Sequence, residues 1–293
     1  MRLTRSPRGF TLAELLVALV LFGIVSTAIY QLLVNNQRLY RQQTQRIELD
    51  DNVRSAVSIM PVELRGLDAA DPLGSDIIEM TDTSIAYKAM RALRWICTSL
   101  QTGAQLYMDT TRIGLVSLDP AYDSVVIFAD SNPFKRGDDH WYHADVTSAP
   151  QSATGCTNGA RKINVSFNLP RVSNPNQLVP GDDVMQGSPI QAFEMVRVMS
   201  YQDASGLTWL GVQRYNKTSG WSTLQPLVGP LQTGGLKFAY YNSAGVVTAN
   251  RAQVARIDIT VIGRTSQMVK LSSGNMGYLI DSLVTQVALR NSR

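Results

Sequence analysis

The sequence predicts an α+β fold in which one long N-terminal hydrophobic helix packs on a globular domain of antiparallel β-sheets. Two observations carry this reading. From Phe10 to Val34 the only polar side chains are Thr11, Glu14, Ser26, Thr27, Gln31 and the hydroxyl of Tyr30. Beyond Asp76 the chain breaks into short β-prone runs between turn residues. A helix with an apolar stripe followed by many short strands is the pattern of a helix set against an antiparallel sheet. With 293 residues, 44% hydrophobic and 17% charged, the chain has material for one or two domains with a real core.

As a helix, Phe10–Val34 spans about 37 Å at about 1.5 Å per residue, enough for a hydrocarbon core of about 30 Å. A secretory signal peptide has a shorter apolar stretch and a small-residue cut after it. Here the run is longer and continues straight into a polar helix. Arg2, Arg5 and Arg8 precede it, while Arg38, Arg41 and Arg46 follow it. Charge alone therefore does not orient the segment. Further along, Val53, Val57, Met60, Leu64 and Leu67 recur at spacings of three and four, an apolar stripe on a polar helix. One helix from about Phe10 to Gly66 is expected. Pro61, which lacks an N–H, is expected to kink or shorten its last turn. Gly66 and the segment DAADPLGS, residues 68–75, are stop and linker signals.

The expected strands are 84–91, 93–100, 104–109, 124–130, 163–168, 193–202, 207–215, 236–242, 255–263 and 282–289. DASG (203–206) and NSAG (242–245) lie between such runs as hairpin loops.

Several residues invite a chemical role. His140 and His143 stand beside Asp138 and Asp139, but in a strand histidines three apart point to opposite faces. No further ligands follow at zinc-like spacing, so an exposed aromatic loop is expected rather than a metal site. PGDD (180–183) lacks the alternating carboxylates of a calcium loop and reads as a solvated turn. GPLQTGG (229–235) has the glycine spacing of a phosphate loop, but Gly235 stands where the lysine belongs. Tyr201, Trp209, Tyr215 and Trp221 lie in or near strands and are expected in the core. The net charge of +4 owes three positives to Arg2, Arg5 and Arg8, and no basic run follows, so no nucleic-acid partner is expected. No cofactor is expected, and no catalytic constellation is legible. In an exported chain the isolated pair Cys97 and Cys156 forms one disulfide, with two free thiols as the alternative.

The basic leader ending in Gly9, followed by FTLAELLVALVLFGIV, resembles the type IV prepilin signature of pilins and of type II secretion pseudopilins. The resemblance implies that a membrane prepilin peptidase cuts after Gly9, that Phe10 becomes an N-methylated terminus, and that Glu14 is the assembly glutamate. It also implies a leader in the cytoplasm and a single-pass inner-membrane helix. The rest of the chain then lies in the periplasm or outside, assembled with other pilin or pseudopilin subunits. A carboxylate at a helix centre in lipid costs about 2.5–3.5 kcal/mol. An ammonium at ~4 Å returns about 4 kcal/mol at an effective dielectric of ~20. Glu14 is thus relieved beside a neighbouring subunit's new terminus. The alternative is that it caps its own helix.

The C-terminal runs GGLKFAYYNSAGVV, VARIDITVIGRT and SLVTQVALRN are similar to minor pilins of the PilW type and minor pseudopilins of the J class. The expected division is 1–9 leader, 10–34 transmembrane and assembly helix, 35–67 amphipathic continuation, 68–75 linker and 76–293 β-rich domain. The expected role is a structural subunit, at the tip or in an initiating complex. The rivals are a pilus-displayed adhesin or DNA-uptake subunit, and an enzyme anchored by the same helix.

Overall fold

The structure, a computed structural model, describes residues 11–71, 74–101, 105–109, 117–130, 134, 139–154, 156, 160–167 and 184–290. They form helix α1 (Leu12–Leu64) and the strands β1 (Ile77–Met80), β2 (Ser84–Gln101), β3 (Gln105–Asp109), β4 (Asp123–Asp130) and β5 (Asp139–Val146). Then follow β6 (Gln151–Ala153), β7 (Ala160–Phe167), β8 (Pro189–Gln202), β9 (Thr208–Asn216), β10 (Gly220–Trp221), β11 (Gln225–Tyr241) and β12 (Arg256–Arg264). The short pair β13 (Val269–Lys270) and β14 (Met276–Gly277) precedes the last strand, β15 (Ile280–Ala288). The fold is α+β, a long N-terminal helix packed with a domain of antiparallel strands.

The chain divides into two units, Met1–Asp50 with Thr265–Leu279, and Asp51–Arg264 with Ile280–Arg293. In the first unit, the helix carries side-chain hydrogen bonds to the β13–β14 hairpin and its approach. Gln45 Oε1 accepts from Ser266 Oγ at 2.9 Å and from the Gln267 N–H at 3.1 Å. Gln42 Nε2 donates to the Lys270 carbonyl at 3.1 Å. Thr265 and Leu279 close the base of that segment, the Thr265 N–H donating to the Leu279 carbonyl at 2.9 Å.

The second unit contains two β structures that share strands. β2 pairs with β3, β3 with β7, β7 with β5, β5 with β4, β4 with β8, and β8 with β2 again, all antiparallel. Among the described residues this ring of six strands is closed, so it has no edge. Each strand sends a side chain inward: Ile96, Leu106, Ile163, Ala144, Ile127 and Ile190 are all within 1% of full burial. The alternation of β4, buried at every second residue from Asp123, is the expected signature of a half-buried strand.

Beyond the ring, β2 and β8 continue into an open sheet of order β1-β2-β8-β9-β11-β12-β15. Leu236, Phe238, Tyr240, Ile257, Ile259, Val261 and Val287 share one buried face by register. In the same unit the buried stripe of α1 is Val53, Ala56, Met60 and Leu64, continued by Leu67. Ala56 replaces the expected Val57, which is half-buried. Pro61 sits inside the last helical turn, and the helix stops three residues later, consistent with the lost N–H.

Other strands depart from expectation. Runs 84–91 and 93–100 are one strand, β2, whose register shifts between Met90 and Ala92. β11 starts well before residue 236, pairing with β9 up to Leu231 and with β12 from there on. Between its two halves Gly235 lets the Ile262 carbonyl come so close that a Cβ would lie 2.4 Å from it. β1, β5, β6, β10, β13 and β14 are short or carry charged and aromatic residues, which hid them.

Candidate functional site

The helix start is built from Thr11 and Glu14. The Glu14 N–H donates to Thr11 Oγ1 at 3.3 Å, while Glu14 Oε2 accepts from the Thr11 N–H at 3.0 Å and from Thr11 Oγ1 at 3.1 Å. This is a reciprocal capping box, which satisfies the orphan N–H groups that a helix start would otherwise leave bare. Sequence reading offered capping by Glu14 as the alternative and missed Thr11. The T-x-x-E spacing before an apolar run was the signal. In the isolated chain, then, the carboxylate is hydrogen-bonded locally. Gly9 and Phe10 lie outside the described residues.

Downstream of the cap the helix is apolar and bare. Leu16, Leu19, Phe22, Ile24 and Leu32 are each more than half exposed. An 18-residue window of α1 reaches a mean hydropathy of 2.4 with none of it buried. Such a surface is stable in lipid or against other apolar helices, not in water. Residues 4–30 match the prokaryotic N-terminal methylation motif. The chain's N-terminal segment is type IV prepilin-like. Comparison with curated proteins and with solved structures finds no match.

The other candidate residues of this prepilin-like chain lie in the β domain. Cys97 on β2 and Cys156 have Cα atoms 5.4 Å apart with their sulfurs adjacent, within the range a disulfide requires. His143 lies on β5, where its ring meets Phe193 edge-on at 5.5 Å. Asp138 and PGDD (180–183) lie outside the described residues, as do the side chains of Asp139 and His140. Among the described residues no group of three or more His, Cys, Asp or Glu is placed to hold a metal.

GPLQTGG is part of β11, and Gly229 answers to packing: a Cβ there would lie 2.7 Å from the Trp209 ring. The four aromatics are half-buried rather than core. Trp221 stacks under the Arg197 guanidinium at 4.1 Å and meets Tyr215 edge-on at 5.2 Å. Trp209 donates its indole N–H to Asp203 at 2.8 Å. Their polar edges and cationic partners keep these rings at the water boundary.

One constellation escaped sequence reading because its members are far apart in the chain. Glu194, with its side chain 3% exposed, accepts from Arg91 at 3.0 Å and from Arg214 at 2.5 Å. Arg214 in turn lies over the Tyr122 ring at 4.2 Å. Asp123 is the register partner of Glu194 at the fork where β8 leaves β4 for β9. Its Oδ2 accepts from the Asp119 N–H at 2.7 Å, while its buried Oδ1 has no hydrogen-bond partner. Burial, reinforced by Glu194, pushes the Asp123 carboxyl above its usual range. A second ion pair, Asp76–Lys88 at 3.2 Å, is also buried, and Lys88 donates to the Gly74 carbonyl at 2.8 Å. These groups fasten strands and loops together.

Proposed function

We propose that this chain is a minor pilin or pseudopilin, a low-copy structural subunit of a type IV pilus or a type II secretion pseudopilus. The observation that carries this reading is the bare apolar helix, continuous with the prepilin motif and charged only at Glu14 between Leu12 and Val34. A surface of that kind is matched by the same helix of neighbouring subunits. The chain acts by assembly rather than catalysis. Its large β domain fits a tip or an initiating complex, because bulk in a shaft repeats at every subunit.

Processing follows the same reading. A prepilin peptidase cuts after Gly9, Phe10 is methylated, and the single-pass helix leaves the β domain on the periplasmic or outer side of the inner membrane. Cys97 and Cys156 are then joined in an oxidising compartment. The capping box gives Glu14 a second role. It is held by Thr11 before assembly and is handed to the Phe10 ammonium of a neighbour within the filament.

Mass spectrometry of membrane-extracted protein tests the processing and is expected to begin at methylated Phe10. For assembly, Glu14→Ala is compared with the native chain at equal expression. Insertion is expected to be unimpaired, since a charge leaves the lipid, while crosslinking to neighbouring subunits falls. An intact Met1 terminus, or equal crosslinking and filament incorporation, overturns the reading.

A further inference from the structure

The hairpin of β13 and β14 belongs to the same unit as the apolar part of α1, and its two faces differ. Val269 is buried. By strand alternation Met268 and Lys270 turn the other way, and the register sets Met276 across from Lys270. Met268 is 54% exposed and Met276 64%, and Lys270 is exposed beside them. Two bare thioether side chains around a lysine make a small amphipathic surface, apolar at its flanks and charged at its centre.

The helix face that holds this hairpin is basic. Arg38, Gln42 and Arg46 recur at a spacing of four, as do Arg41 and Gln45, so the two rows lie side by side on one face. Gln42 and Gln45 are the residues that bond the hairpin and its approach. No acidic residue occurs between Glu14 and Glu48, nor in Thr265–Leu279. Among the described residues no ion pair holds Arg38, Arg41, Arg46 or Lys270. The helix sets their height. At about 1.5 Å per residue, Arg38 lies about 6 Å beyond Val34 and Arg41 about 10 Å. That is in or beside a headgroup layer about 5–7 Å thick, and within a Debye length of about 8–10 Å of its charges. The approach to β13 meets Gln45 and Lys270 meets Gln42, so β13 runs toward the apolar segment and carries the turn at 271–275 with it.

We propose that the outward face of the β13–β14 hairpin, together with the arginine face of α1, docks on anionic phospholipid headgroups of the leaflet by which the helix leaves the membrane. The inference rests on the reading of the apolar helix as a membrane anchor. Two observations argue for that occupant. The surface carries charge of one sign, complementary to an anionic leaflet, and it is continuous, within one unit, with the lipid-compatible segment. Each basic residue held near such a leaflet adds its own attraction. Apolar side chains beside them enter the boundary between headgroups and acyl chains, and the exposed Tyr40 is of the type that settles at that level. Because the charges and the hairpin occupy one side of the helix, docking also fixes the rotation of the helix about its own axis.

The test encodes a fluorescent residue at position 273, in the hairpin turn, of the full-length protein. The protein is reconstituted into vesicles of phosphatidylcholine alone and of phosphatidylcholine mixed with phosphatidylglycerol, each holding a headgroup-linked quencher. A parallel variant carries the fluorophore at position 21 and is read against an acyl-chain quencher. Quenching at position 273 is expected to be several-fold stronger in the mixed vesicles and to fall as salt is raised. Lys270→Glu and Arg41→Glu are each expected to cut that difference by about five-fold or more with the thermal transition unchanged, while Lys270→Arg retains it. The proposal fails if quenching at position 273 is equal in the two lipids, or if the charge reversals leave it unaltered. It also fails, with the anchor reading intact, if position 21 is quenched and position 273 is not. Energy transfer between labelled copies in place of headgroup quenching assigns the surface to a second copy and overturns the proposal. An unquenched position 21 removes the anchor reading and this inference with it.

Discussion

Thr11 and Glu14 each satisfy a polar group of the other, so the helix start is self-sufficient before any neighbour arrives. Thr11→Ala is expected to cost about 1 kcal/mol at the first turn, as N-cap deletions do. Amide hydrogen exchange at Ala13 and Glu14 in micelles would then rise by about five-fold, and no change there means the cap is idle. Asp203 plays the corresponding part in the β8–β9 hairpin. Its carboxylate accepts from the Ser205 hydroxyl at 2.6 Å, the Trp209 indole at 2.8 Å, and the Leu207 and Ser205 amides at 2.9 Å. Led by the Ser205 hydroxyl, these bonds hold its pKa down to about 2. A depressed carboxyl pKa stabilises the folded state above the unfolded value of about 3.9 and loses that contribution as pH falls toward 2. Asp203→Asn is expected to remove that part of the acid dependence of the Tm between pH 4 and 2, and an unaltered acid limb contradicts it.

The elements were legible in proportion to how local their cause is. α1 was readable because an apolar run and a three-four stripe are properties of neighbouring residues, and β4, β8, β9 and β12 because alternation is too. Ring closure was not. It depends on β2 meeting β8, a pairing of strands about a hundred residues apart that no local pattern encodes. The Arg91–Glu194–Arg214 cluster escaped for the same reason, while β5 was obscured by its histidines and aspartates, which suggested an exposed loop rather than a strand. The proposed bond between Cys97 and Cys156 makes an element-level prediction. A cross-link spanning a sequence separation of 59 removes about 4 kcal/mol of unfolded-state entropy in the chain-entropy description. Cys97→Ser with Cys156→Ser is therefore expected to lower unfolding stability by about 3–4 kcal/mol in denaturant titration. Equal stability, or free alkylation of both thiols in the unreduced native chain, contradicts the bond.

For the whole molecule, sharing β2 and β8 ties the fate of the ring to that of the sheet. Ile190→Ala, in the ring, and Ile259→Ala, in the sheet, each delete a fully buried side chain and are expected to cost about 2–5 kcal/mol. Both are expected to shift one common unfolding transition. Two separate transitions, each moved by only one substitution, mean that ring and sheet unfold independently. Sharing has a mechanical side as well. β2 and β8 are paired from Ser84↔Met199 to Trp95↔Pro189, so the ladder between them runs through both structures. Tension applied along these strands strains the whole row of bonds at once, in shear, whereas a structure hung from a single strand end peels bond by bond.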